Sequence, residues 1–192
     1  IVSLIALTAL IVSATSPRLF QPLEIKTLSY LFSQQKIVDY VNTPYGQLVF
    51  SEKGKQLTVY QNGQVIGAEN DFISAEESVH YPLSQHPAPL RVLLVGGGLN
   101  GSLLELSKYP LQNIDYVDLD ISVIRAAQDL YKNSISIKTN WVQSDVIQFL
   151  TKNKNQYDVI LVSSSPPDSA QANRYYTKEF FSLAKSHLNP NG

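Results

Sequence analysis

Residues 92–101 read Val92-Leu93-Leu94-Val95-Gly96-Gly97-Gly98-Leu99-Asn100-Gly101, an aliphatic run that breaks into a glycine-rich loop with G-x-G-x-x-G spacing at Gly96, Gly98 and Gly101. The apolar run predicts a buried strand over 91–95, and the residues beyond Gly101 predict a helix over 102–108. In that setting Gly96 permits the tight turn, Gly98 lets a ligand approach the backbone, and Gly101 lets the helix sit close to the strand. Gly97 alone would read as a flexible turn, but it belongs to the same ligand-facing loop. Asp118 follows Gly98 by 20 residues at the end of the next predicted strand, where a carboxylate can accept from both hydroxyls of a ribose. Loop and acid together predict a site for a nucleoside-bearing cofactor.

Outward from this loop the pattern alternates. Strands are expected over 115–120, 141–143 and 158–163, and helices over 123–131, 146–150 and 178–188. Alternation of this kind is the signature of a doubly wound parallel sheet. Only four strands are visible where such sheets usually have more, so the sheet is expected to be cut off on its C-terminal side. Asp120 reads as the N-cap of the helix after it. Asp145 carries two readings, an acceptor for an adenine amino group or the N-cap of the helix over 146–150. Asp158 reads as a strand-edge residue rather than a ligand.

Upstream, residues 47–50, 56–60 and 64–66 are short β-prone runs. They are broken by Gly54 and by Asn62-Gly63, a strong hairpin signal because both central residues of a type I′ turn need positive φ. A small antiparallel β-domain with a linking helix over 72–83 is therefore expected across 44–88, with the main α/β domain at 89–192. Residues 17–43 read as a connecting amphipathic segment. Residues 1–12, IVSLIALTALIV, carry no charge. At 1.5 Å per residue they span only about 18 Å of a roughly 30 Å hydrocarbon core. The open readings are the end of a membrane helix (residues 1–16), a signal-peptide core, and a buried helix.

Composition narrows the function classes. Fifteen Lys and Arg against 16 Asp and Glu leave a formal charge of -1, which argues against nucleic acid as the main partner. With no cysteine, thiol catalysis and Cys-ligated metals are excluded. The 192 residues also lack methionine, even at position 1, and a piece of a longer protein is the expectation.

From Tyr45 onward the chain resembles the spermidine synthase (polyamine aminopropyltransferase) family. The resemblance runs through Tyr45-Gly46, Asn70-Asp71-Phe72 with Glu76 and His80, His86-Pro87-Ala88-Pro89, the glycine loop, Val117-Asp118-Leu119-Asp120 and Ser144-Asp145. Residues 173–181, NRYYTKEFF, are similar to a segment of the membrane-fused bacterial branch. The resemblance implies a class I methyltransferase-like Rossmann domain behind a small antiparallel β-domain. It also implies decarboxylated S-adenosylmethionine, or S-adenosylmethionine itself, as substrate, with no metal, an amine as acceptor, and a homodimer among the expected assemblies. Its membrane-fused branch would tether a cytoplasmic domain through the N-terminal helix. The nucleoside site would comprise Gly96, Gly97, Gly98, Gly101, Asp118 and Asp145, with Glu76 and Tyr175 on the substrate side.

The departures fall on the acceptor side. Leu99 stands where the family has an Asp after the loop, and Ser163-Ser164-Ser165-Pro166 where it has Asp-Ser-Ser-Asp. Ser74 and Ala75 stand for a Tyr-His pair. A dicationic amine needs carboxylates both to offset its desolvation and to take its proton. Asp168 is a candidate displaced base, set against its reading as a polar loop residue, and Ser163 occupies the place of the Asp that, in the family, helps deprotonate the attacking amine. An aminopropyl transferase, a non-catalytic nucleoside-binding sensor and a methyltransferase on another acceptor all remain open on these residues.

Overall fold

The computed structural model describes residues 21–69, 71–163 and 170–192. The expectations for residues 1–16 and for Asp168 lie outside the described residues. Among the described residues no helix is long and apolar enough to cross a membrane.

Helix α1 (Gln21–Leu31) leads into four strands, β1 (Lys36–Thr43), β2 (Gly46–Lys53), β3 (Gln56–Gln61) and β4 (Gln64–Ala68), paired in chain order as an antiparallel meander. The β3–β4 turn has positive φ at both Asn62 and Gly63, as the Asn-Gly pair predicts. The first strand departs from the expectation for 17–43, because the helical pattern ends at Leu31 and residues 36–43 are strand. Lys-Ile-Val-Asp-Tyr-Val-Asn-Thr is rich in β-branched and aromatic residues, and its antiparallel pairing with β2 overrides the weak helical spacing. The chain reverses at Gln34, whose φ is 83°, while the Gln35 amide bonds the Tyr60 hydroxyl at 2.9 Å.

After α2 (Phe72–Ser84) come β5 (Arg91–Gly96), α3 (Ser102–Leu106), β6 (Asn113–Asp118), α4 (Ile121–Tyr131), β7 (Thr139–Gln143), α5 (Val146–Lys152), β8 (Val159–Ser163), the short helix α6 (Ala170–Asn173) with a 3₁₀ turn at Arg174–Tyr176, and α7 (Lys178–Ser186). The strands form an all-parallel sheet in the order β7-β6-β5-β8. The chain runs outward from β5 through β6 to β7 and then crosses to the far side of β5. That reversal opens a crevice between the carboxyl ends of β5 and β8, where Gly96 pairs with Ser163.

Alternate residues of β5 serve opposite faces. Val92 and Leu94 join a core with Leu103, Leu106, Ile124 and the β-domain residues Leu48 and Val59. Leu93 and Val95 pack on the other side with Val146, Leu150 and Phe180. With both faces covered, the strand is apolar at each position from Val92 to Val95, as in buried parallel sheets generally.

At the amino edge of this sheet Asp115 is buried at 3% exposure. It accepts from the Tyr157 hydroxyl at 2.7 Å and from the amides of Asn140 (2.7 Å), Asn113 (2.8 Å) and Asn155 (3.2 Å). Burial pushes its carboxyl up, but these four donors outweigh it and hold the group below the usual Asp range. Asp115→Ala should therefore cost roughly 2 kcal/mol in urea unfolding at pH 7, because it strands the buried Tyr157 hydroxyl and removes the acceptor of three amides. The carboxylate's contribution is present above the unfolded-state value near pH 4 and is lost as pH falls toward the lower folded value. The gap between wild type and variant should accordingly narrow on acidification.

Candidate functional site

The glycine loop turns sharply because Gly96 and Gly97 hold φ of 66° and 68°, a region that residues with a Cβ rarely enter. Gly98 is required for a different reason. A Cβ there would overlap the hydroxyl end of Tyr116, a fully buried side chain in β6. The Gly98 backbone is hydrogen-bonded to that phenol, whose hydroxyl donates to Asp118 Oδ2 at 2.8 Å. Asp118 Oδ1 accepts from the Asp120 amide at 2.9 Å. Loop and acid are thus joined through one tyrosine on the same face of β6, two residues before the aspartate.

Burial raises the Asp118 carboxyl above the usual range, partly offset by the Asp120 amide and the Tyr116 hydroxyl. Burial and the neighbouring Asp118 charge push the Tyr116 phenol well up, so it remains a donor at neutral pH. Asp120 caps α4 as expected, its Oδ1 accepting from Ser122 N at 2.8 Å. Its Oδ2 is buried without a hydrogen-bond partner among the described residues, an acceptor that a bound molecule or water can serve.

These residues line a cleft of about 970 Å³ at the carboxyl ends of the parallel strands. One wall is the glycine loop with Asp118, Leu119 and Asp120, and the opposite wall is β4 of the small sheet. The two sheets meet closely, since a Cβ on Gly67 would overlap the backbone of Leu99. Leu99 itself is 4% exposed and packs into the core shared with Leu48, Val59 and Val79. Ser163 lies in the cleft, its hydroxyl accepting from the Asn100 amide at 3.1 Å. Tyr175 also lines the cleft, packs edge-on against Phe180, and has its phenol raised by burial.

The remaining sequence candidates fall elsewhere. Asp145 realises its N-cap reading, with Oδ1 accepting from Ile147 N and Gln148 N at 3.0 and 3.1 Å. Its Oδ2 is ion-paired with Arg174 at 2.6 Å. Its neighbours Ser144 and Val146 line the cleft; Asp145 does not. Glu76 is exposed on α2, outside the cleft lining, and faces Lys108 at 4.0 Å. It is drawn there by a cluster at the α2–α3 contact, where buried Glu105 bonds His80 Nε2 at 2.9 Å and also pairs with Lys108. The His80 Nδ1 side meets the Tyr109 hydroxyl at 2.6 Å. Asp158 ties strand ends together, accepting from the amides of Leu90 and Arg91 and from Asn189.

Sequence reasoning missed three participants. Tyr116 was given no role, although its i, i+2 spacing from Asp118 on a strand was the available signal. Arg174 lay within a quoted segment with no role. The β4 wall became visible only when the sheets were placed together.

Residues 71–192 match the spermine/spermidine synthase domain. The chain is 30% identical over 171 residues to spermidine synthase of Dictyostelium discoideum, covering 85% of this chain and 60% of that protein. It is 29% identical over 177 residues to polyamine aminopropyltransferase of Oceanobacillus iheyensis, covering 83% of this chain and 33% of that protein. With the Bacillus subtilis polyamine aminopropyltransferase it shares 34% identity over 141 residues, covering 70% and 50%. The chain thus spans between a third and three fifths of the length of these relatives. A crystal structure of spermidine synthase in complex with the transition-state analogue AdoDATO superposes with a TM-score of 0.72 at 24% identity, covering 80% of this chain and 55% of that one. Spermidine synthase from Thermotoga maritima gives 0.70 at 24%, covering 80% and 54%.

Because Gly98 touches the phenol that holds Asp118, Gly98→Ala should weaken nucleoside binding at least tenfold by calorimetry, a loss of about 1.4 kcal/mol. Ala substituted at Gly54, where a Cβ would meet nothing within 4 Å, should leave binding unchanged.

Proposed function

The chain belongs to the spermine/spermidine synthase family, and from that membership we propose that the cleft binds decarboxylated S-adenosylmethionine and delivers its aminopropyl group to an amine. The observation that carries the reading is the Gly98–Tyr116–Asp118 connection at the switch point of the sheet, which sets an acceptor for ribose hydroxyls beside a backbone that a ligand can approach.

In the proposed reaction the amine nitrogen attacks the aminopropyl carbon next to the sulfonium. The new C–N bond forms as the C–S bond breaks, and its electron pair stays on sulfur as neutral methylthioadenosine. The nitrogen then sheds a proton. The sulfonium supplies the leaving group, so the protein's tasks are alignment and a proton acceptor. Ser163, in the cleft, lies on the reacting side in this reading. Asp168 is assigned as proton acceptor on its sequence position alone. S-adenosylmethionine is the alternative donor. Anchorage of residues 1–16 in a membrane belongs to the same proposal, supported by their uncharged run, as does pairing of two copies, supported by the family resemblance.

A second reading, a nucleoside-binding domain without transfer, is favoured by Leu99. That side chain is buried in the shared core and offers the cleft no carboxylate for a cationic chain. Incubation with decarboxylated S-adenosylmethionine and a panel of di- and triamines, followed by chromatography, should yield methylthioadenosine and a lengthened amine in equal amounts. Binding without methylthioadenosine formation would support the second reading, and S-adenosylhomocysteine formed from S-adenosylmethionine would indicate methyl transfer.

A further inference from the structure

The ion pair between Arg174 and Asp145 falls on the carboxylate for which the sequence offers, beside its N-cap role, a reading as acceptor for an adenine amino group. One oxygen of Asp145 is committed to α5, capping the amides of Ile147 and Gln148. The other is held at 2.6 Å by the Arg174 guanidinium. An exocyclic purine amino group is a donor, and it needs the oxygen that Arg174 holds. The guanidinium is the stronger donor of the two because it is charged. It also has somewhere to go, since its side chain is 34% exposed and can swing into water at little cost.

The arrangement reaches further than one atom. Arg174 lies in the 3₁₀ turn Arg174–Tyr176, which follows α6, and its guanidinium sits 5.7 Å from the centroid of the Tyr175 ring. Tyr175 and Ala172 both line the cleft, whereas Arg174 and Asp145 do not. Arg174 therefore fastens a segment of the cleft wall to the helix that Asp145 caps. Releasing the pair frees an acceptor and loosens that wall together.

We propose that Arg174 is a specificity-determining residue that acts through Asp145: it occupies Asp145 Oδ2, so a 6-amino purine is recognised there only by displacing the guanidinium. This rests on the reading of the cleft as a nucleoside site. A 6-oxo purine, with an acceptor at that position, gains nothing from displacement. The fraction of molecules with the pair open scales the apparent affinity for 6-amino ligands.

The test uses the full chain and two neutral probes, methylthioadenosine and its 6-oxo counterpart methylthioinosine. By calorimetry Arg174→Gln should bind methylthioadenosine roughly two- to tenfold more tightly than wild type, the range expected for losing a competing, half-exposed ion pair. Methylthioinosine affinity should stay unchanged, and the gain should vanish in an Asp145→Asn background. Weaker or unchanged methylthioadenosine binding in Arg174→Gln would overturn the proposal, as would an equal gain for both probes. Hydrogen exchange without ligand separates this from the underlying reading: amides of residues 172–176 should exchange faster in both Arg174→Gln and Asp145→Asn. If wild type binds neither probe, the nucleoside reading fails and the exchange result alone judges the ion pair, unaltered protection refuting it.

Discussion

The contact between the Tyr116 phenol and Gly98 is the constraint on which the site depends. The ring is fully buried in the core shared by the two sheets, its backbone lies in β6, and its hydroxyl holds Asp118 in place. No side chain can be added at residue 98 without moving that ring. The glycine loop therefore has its sequence as much to accommodate a tyrosine as to admit a ligand. The same bond keeps a buried carboxylate oriented, although burial alone pushes its carboxyl upward. Edge-on packing of Tyr116 against Trp141, at 5.3 Å between centroids, extends the support to β7.

The small β-domain completes the cleft rather than decorating it. Close approach of Gly67 to the Leu99 backbone brings β4 over the loop, and Leu48 and Val59 share a core with β5 and α3. Leu99 is an anchor between the two sheets. Its burial gives a physical reason for a leucine at this position: the residue lines the cleft, but its side chain is committed to the joint between the sheets. The buried Glu105, paired with His80 and Lys108, fixes α2 on α3 from beneath the same loop.

Much of this was legible in the sequence because the signals were local. The aliphatic run before Gly96, the Asn62-Gly63 turn and the alternation from residue 91 onward each fix an element through backbone geometry. What the sequence left open lay where tertiary pairing decides. Residues 36–43 carry helical spacing weak enough to yield to β2, and the antiparallel partner was out of sight. Asp145 was undecided between cap and ligand, and its oxygens are now seen to serve α5 and Arg174. Glu76, read from the sequence as a substrate-side residue, stands exposed on α2 beside Lys108. The Asp145–Arg174 and Glu76–Lys108 pairs leave no periodic trace, since each joins residues about 30 apart in the chain.

The most direct measurement of the central claim is calorimetric titration of methylthioadenosine into wild type and Asp118→Asn. The variant keeps the shape of the side chain and removes the negative charge that we propose accepts from ribose hydroxyls. The structure predicts saturable one-site binding by wild type and a loss of at least tenfold, about 1.4 kcal/mol, in the variant. Equal affinity in the two proteins, or no binding by wild type, would contradict a nucleoside site built on Asp118.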